Sequence, residues 1–128
     1  MRNIFVGLIL AALASPALTQ PALAQDAPDP ARGRTLFQRQ CSACHQVAAA
    51  RNGTGPSLQG VVGRAAASAE GFNYSPALKA SGITWSLEEL NAFLADPQGK
   101  VRGTRQPVRV TNEADRRDIV GYLANPGS

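Results

Sequence analysis

Cys41-Ser42-Ala43-Cys44-His45 is the stretch that decides how this chain is read. Two cysteines three positions apart, followed at once by a histidine, make the C-x-x-C-H pattern of covalent haem attachment. On a helical turn, residues three apart lie on one face, so both thiols can add to the two vinyl groups of one porphyrin edge. The next residue leaves the helix with its imidazole turned under the iron. A Cys-x-x-Cys pair can also be a redox dithiol, a structural disulfide or half of a zinc site. The dithiol needs alternating β-branched strands around it, and no convincing strand pattern occurs. Zinc needs four ligands, whereas the chain has two cysteines and one histidine, all inside the motif. A disulfide leaves His45 without a role. The motif therefore reads as one haem c, bound through Cys41 and Cys44, with His45 as an iron ligand.

Upstream, residues 1–24 have the form of a secretory signal. Arg2 gives a positive start, Ile4 to Ala14 is apolar, and Ala22-Leu23-Ala24 is a small-x-small cleavage site. The run is too short to span a bilayer, and Ser15, Pro16, Thr19, Gln20 and Pro21 break up the segment after it. An uncleaved anchor is the alternative. Cleavage leaves residues 25–128, about a hundred residues and enough for one domain with one core. Export also suits c-type haem, which bacteria attach outside the cytoplasmic membrane, and places the chain in the periplasm with no stable membrane insertion. The formal charge is +4, and loss of Arg2 takes it to +3. That balance steers an acidic protein partner. Nucleic acid is excluded as a partner by export and by the lack of a dense basic tract.

Onward from the leader, Asp29 can cap a helix and Pro30 suits its first position, which predicts a helix from about residue 30 to 44. Its apolar residues are sparse: Ala31, Leu36 and Phe37, with Val47 beyond. Gly33 stands inside it, where glycine costs about 1 kcal/mol against alanine. That implies close approach by another helix, simple tolerance being the alternative. Residues 46–70 are rich in Gly, Ala, Ser and Asn without periodicity, and so long a loop in so small a domain needs something to wrap. Ser75-Pro76 opens a short helix to Ala80. Leu87 to Ala95 is a third, with Leu87, Leu90, Phe93 and Leu94 on its apolar face and Asp96-Pro97 as its stop. Residues 98–111 read as irregular. Asn112 then caps a last helix to about Leu123, with Ile119, Val120, Tyr122 and Leu123 on its buried side.

The order of these signals resembles the class I cytochromes c, of the cytochrome c2 type, over nearly all of residues 30–124. Gly33 and Phe37 match the glycine and aromatic that pack the family's first helix against its last, and Ile119 and Tyr122 match their partners. Gly55-Pro56-Ser57-Leu58-Gln59-Gly60-Val61-Val62-Gly63-Arg64 matches its G-P-x-L-x-G-x-x-G-R, followed by Gly71-Phe72-Asn73-Tyr74-Ser75 and Gly82-Ile83-Thr84-Trp85. The resemblance implies an all-α small cytochrome c fold, four to five helices with long loops wrapped around one covalently bound haem. It implies that the carbonyl of Pro56 accepts from the His45 ring, fixing the tautomer. It also implies that Arg64, Tyr74 and Trp85 hold the inner haem propionate. A buried carboxylate needs such donors. Read alone, Trp85 would be plain core and Arg64 a solvated residue.

One position departs from the family. Its sixth iron ligand is a methionine in P-G-T-K-M-x-F, and here the stretch is Arg102-Gly103-Thr104-Arg105-Gln106-Pro107-Val108. The only methionine is Met1 and the only histidine is His45, so neither usual partner exists in the mature chain. Gln106 through its amide oxygen, Lys100 or Lys79 as a neutral amine, or a site that is empty or holds water remain. Gln106 is the favoured candidate, and loss of the thioether lowers the expected potential. Val108 stands for the family's crevice-lidding aromatic and Phe93 for a distal tyrosine. The resemblance implies a monomeric electron carrier, not an enzyme, meeting a transient redox partner with an acidic face through Arg39, Lys100, Arg102 and Arg105. The alternative is small-ligand chemistry (nitric oxide, carbon monoxide or peroxide) at a weakly held sixth site, as sensor, carrier or modest peroxidase.

Overall fold

The computed structural model describes residues 27–127, so the leader and its cleavage site lie outside the described residues. Five helices come in order: α1 (Pro30–Gln40), α2 (Pro76–Lys79), α3 (Leu87–Ala95), α4 (Pro97–Lys100) and α5 (Glu113–Ala124). The described residues contain no strand, only one isolated antiparallel bridge between Ala65 and Thr84. None of these helices is long and apolar enough to cross a membrane.

Local chemistry explains where most helices begin. The carboxylate of Asp29 accepts from Arg32 N at 3.0 Å, and Pro30 is next, at the first helical position. Ser75, Ser86 and Asn112 do the same for α2, α3 and α5, accepting from Leu78, Glu89 and Asp115. The sequence expectation failed at three points. The first helix ends at Gln40, not near residue 44, leaving Cys41–Cys44 in turns. Asp96-Pro97 ends α3 as expected but also starts α4, because the Asp96 carboxylate accepts from Gly99 N at 3.2 Å. Leu87 is 51% exposed: it stands at the first position of α3, just before the face that packs inward.

The core forms where α1 crosses α5. A Cβ built on Gly33 would run into the carbonyl oxygen of Asp118, so close approach, not tolerance, explains this glycine. Phe37 reaches over to Tyr122, ring centroids 5.6 Å apart, and Ile119 lies fully buried beneath. Arg32 adds a polar clasp, donating to Asp118 Oδ2 at 2.5 Å and also pairing with Asp115. Leu90, Phe93 and Leu94 of α3 extend the core, with Val61, Trp85, Val101 and Val110 joining from loops. Between this core and the long loop lies a cleft.

Candidate functional site

Phe37, on the last turn of α1, aims the motif at the cleft. Its carbonyl accepts from both Cys41 N (2.8 Å) and Ser42 N (3.0 Å), which ends the helix in a tight turn. Cys44 N and His45 N then both donate to the Cys41 carbonyl, at 3.1 and 3.0 Å. The two thiols are thus kept on one side by a turn in place of a continuing helix. They are not joined to each other. Burial, with the nearby Cys44 thiol, pushes the Cys41 thiol up to about 11. It stays protonated at neutral pH, and conversion to a thioether removes the ionisable group.

The chain doubles back to hold the imidazole. Gly55 N donates to the Cys44 carbonyl at 3.0 Å, and Leu58 N to that of Gln46 at 2.8 Å. This sets Pro56 O 2.8 Å from His45 Nδ1, the contact that the family resemblance implies. A carbonyl has no proton to give, so Nδ1 carries the hydrogen; in the neutral ring this leaves the lone pair on Nε2, the tautomer a metal ligand requires. Gly55 lies flat against the ring: a Cβ there would sit 2.7 Å from Nδ1 and 2.9 Å from Nε2.

Cys41, Cys44, His45, Pro56, Arg64, Tyr74, Trp85 and Gln106 all line one cavity of about 300 Å³. The rest of the lining is mostly apolar and includes no carboxylate. Arg64 donates through Nη1 to Gln59 O and through Nη2 to Ser57 O, both at 2.8 Å, while its buried Nε has no protein partner. Tyr74 OH accepts from Ala69 N at 3.0 Å, which leaves its own proton to donate. The backbone brackets Trp85 with Arg64, for Trp85 N donates to Arg64 O at 2.9 Å. An unpartnered donor on an apolar wall, two free thiols and a proximal imidazole are what a haem with an inward propionate fits.

The loop 102–110 lines the same cavity with Thr104, Arg105, Gln106 and Pro107. Gln106 is half-buried, with its N–H 3.3 Å from Thr104 Oγ1. The two lysines stand elsewhere. Lys79 is exposed on α2, and Lys100 pairs with Glu89 at 2.5 Å outside the cavity. Val108 packs half-buried against the core, and Pro107, not Val108, lines the cavity. At the rim, exposed Arg105 donates to Asn73 O at 3.0 Å, whereas Arg109 turns back to Ala95 O at 2.8 Å. Sequence reading missed Thr104, Phe72 and the Asn52–Ser57 bracket behind Pro56. Only Asn52-Gly53, as a turn dipeptide, gave any signal there.

A family model described as cytochrome c matches residues 30–126. The chain is 43% identical to cytochrome c2 of Rhodomicrobium vannielii, covering 88% of this chain and 91% of that one. It is 39% identical to cytochrome c2 of Blastochloris viridis, covering 96% and 92%. Among solved structures, cytochrome cH from Methylobacterium extorquens superposes with TM-score 0.69 at 42% identity, covering 74% of this chain and 96% of that one. Cytochrome c2 from Rhodospirillum centenum gives 0.71 at 35%, covering 74% and 95%.

Proposed function

The chain belongs to the cytochrome c family and is a c-type cytochrome, an electron carrier rather than an enzyme with one covalent haem c, and from that premise we propose a low-potential carrier whose sixth iron position faces Gln106 in place of methionine. Cys41 and Cys44 hold the haem, His45 Nε2 binds its iron, and Pro56 O fixes the ring. Arg64, Tyr74 and Trp85 receive the inner propionate, the first through its orphaned Nε. Bound there, the group supplies an iron that takes up and releases one electron. The chain's own part is to hold the ligands still between the two oxidation states and to keep water out with Phe93, Leu90 and Leu94.

The observation that carries this reading is that Gln106 lines the cavity His45 lines, while residues 27–127 contain no methionine. An amide oxygen is harder than a thioether and favours ferric iron, which lowers the potential. Exposed Arg105 at the cavity rim, with Arg39 and Arg102 exposed elsewhere, supports docking by an acidic face of a transient partner. The charged Lys100 is neutralised by Glu89 and takes less part than expected. We place residues 1–24 as a cleaved signal peptide, residues 25–128 as one domain, and the mature protein as a periplasmic monomer. Redox titration of the holoprotein beside Gln106→Met tests the reading. The variant's potential rises and the ferric sulfur–iron charge-transfer band appears; an unchanged potential would refute it.

The lack of methionine or a second histidine in residues 27–127 also favours a second reading, a site that takes nitric oxide or carbon monoxide. Peroxide cleavage fits poorly, since no distal histidine exists as acid or base. Rapid, tight carbon monoxide binding by the reduced protein at neutral pH supports it. An unchanged visible spectrum supports a firm sixth ligand and the carrier.

A further inference from the structure

Behind Pro56 the hydrogen bonds do not stop. The peptide unit whose carbonyl accepts from His45 Nδ1 is the same unit whose N–H belongs to Ser57. That N–H donates to Asn52 Oδ1 at 2.9 Å, and Asn52 Nδ2 donates onward to the backbone carbonyl of Glu70 at 2.8 Å. The amide orientation is fixed by its neighbours, because an N–H on one side and a carbonyl on the other admit only one assignment of oxygen and nitrogen. Ser57 is 4% exposed, and its hydroxyl is tied to Ala49 O at 2.8 Å, so the unit cannot turn away.

We propose that Asn52 is a positioning residue that sets the electron-donating strength of His45, acting through the Pro56–Ser57 peptide and the Asn52 side-chain amide. The inference rests on His45 being the iron ligand. Both amide groups in the relay are resonant, with C–N bonds of partial double-bond character. A bond accepted from the N–H end moves negative charge onto the carbonyl oxygen and makes it a better acceptor, the cooperative strengthening of linked hydrogen bonds. Pro56 O then pulls harder on the Nδ1 proton, and Nε2 becomes more basic. A more basic ligand favours ferric iron, so the intact relay lowers the potential. No proton moves; one electron enters or leaves the iron, exchanged with the redox partner. The same two bonds tether the proximal loop to the backbone at Glu70, whose neighbours Phe72 to Ser75 form another wall of the cavity.

The experiment compares Asn52→Leu, Asn52→Asp and Glu70→Gln in the holoprotein, by redox titration and by proton NMR of the His45 ring. Leucine fills similar space without either bond, and the potential rises by about threefold in the equilibrium with a reference couple, about 28 mV for one electron. Aspartate keeps an acceptor for Ser57 N and makes it stronger, so the potential falls below wild type, and the His45 ring resonances move in the opposite sense from those of the leucine variant. Glu70→Gln changes charge nearby without touching the relay, which uses only the backbone carbonyl, and shifts the potential less than Asn52→Asp does. A shift of the same sign in both Asn52 variants overturns the proposal. So does a Glu70→Gln shift as large as that of Asn52→Asp, or a change of potential with His45 resonances unmoved. If the wild-type ring shows no iron-shifted resonances, the ligand assignment itself fails first.

Discussion

Replacing Gly33 with alanine sets two effects of opposite sign against each other. As an interior helix position, the change gains about 1 kcal/mol of intrinsic propensity. Against this, the new Cβ would lie 2.5 Å from the carbonyl carbon of Asp118, nearer still to its oxygen, and 3.0 Å from Tyr122 Cβ. Ordinary contact begins at 3.4 Å, so the obstacle is backbone of α5 and must withdraw by more than the about 0.9 Å that clears the carbon, the oxygen being nearer still. Overpacking of this kind costs about 1–3 kcal/mol. Separation of the helices also stretches the Arg32–Asp118 bond and the Phe37–Tyr122 contact, and a hydrogen bond to a charged group is worth about 1.5–3 kcal/mol. The balance is a net loss of about 2 kcal/mol, or roughly 10 °C in Tm for a domain of this size. Urea unfolding of the holoprotein, followed by far-ultraviolet circular dichroism, measures it. A variant stabilised by about 1 kcal/mol would refute the close-packing argument, because propensity alone would then have decided.

Stability falls in acid through Asp118: burial raises its carboxyl, but hydrogen bonds from Asp29 N and Arg32 and the charges of Arg32 and Arg117 outweigh that and hold it below the usual range. A lowered folded value means its contribution is complete above the unfolded value of about 3.9 and is lost as pH falls through the folded one, so Asp118→Asn flattens the unfolding-versus-pH curve there, and an unaltered acid limb would count against it. Gly55→Ala drives a Cβ into the His45 ring, and export cultures should yield little holoprotein; a normal yield with wild-type spectrum would contradict that packing. Arg64→Gln removes a cation beside the cavity and its bonds to Gln59 O and Ser57 O. It lowers the potential and costs about 2 kcal/mol, and a raised potential in redox titration would refute the propionate role.

Features carried by short-range chemistry were legible in the sequence itself. The motif, the caps at Asp29 and Asn112, the Ser75-Pro76 start of α2, and the core residues of α5 and, Leu87 apart, of α3 declare themselves through spacing and residue type. Gly33 was readable because a glycine inside a helix needs a reason, although only the fold brings Asp118 beside it. Helix α4 was hidden because Pro97 reads equally as a stop and as a first helical residue. Cys41–Cys44 fell outside the helix because the Phe37 carbonyl, shared by two N–H groups, closes it early. The Asn52 relay and the Lys100–Glu89 pair join residues brought together only by the fold, and such contacts leave no periodic trace.

Every assignment made for this chain depends on one porphyrin joined to Cys41 and Cys44. Trypsin cutting after Arg39 and Arg51 releases residues 40–51, which hold both cysteines and His45. Mass spectrometry of that peptide from the exported protein should find it heavier by one haem, with no thiol open to alkylation. A peptide at its bare mass, with two alkylatable thiols or a disulfide between them, would contradict the account at its root.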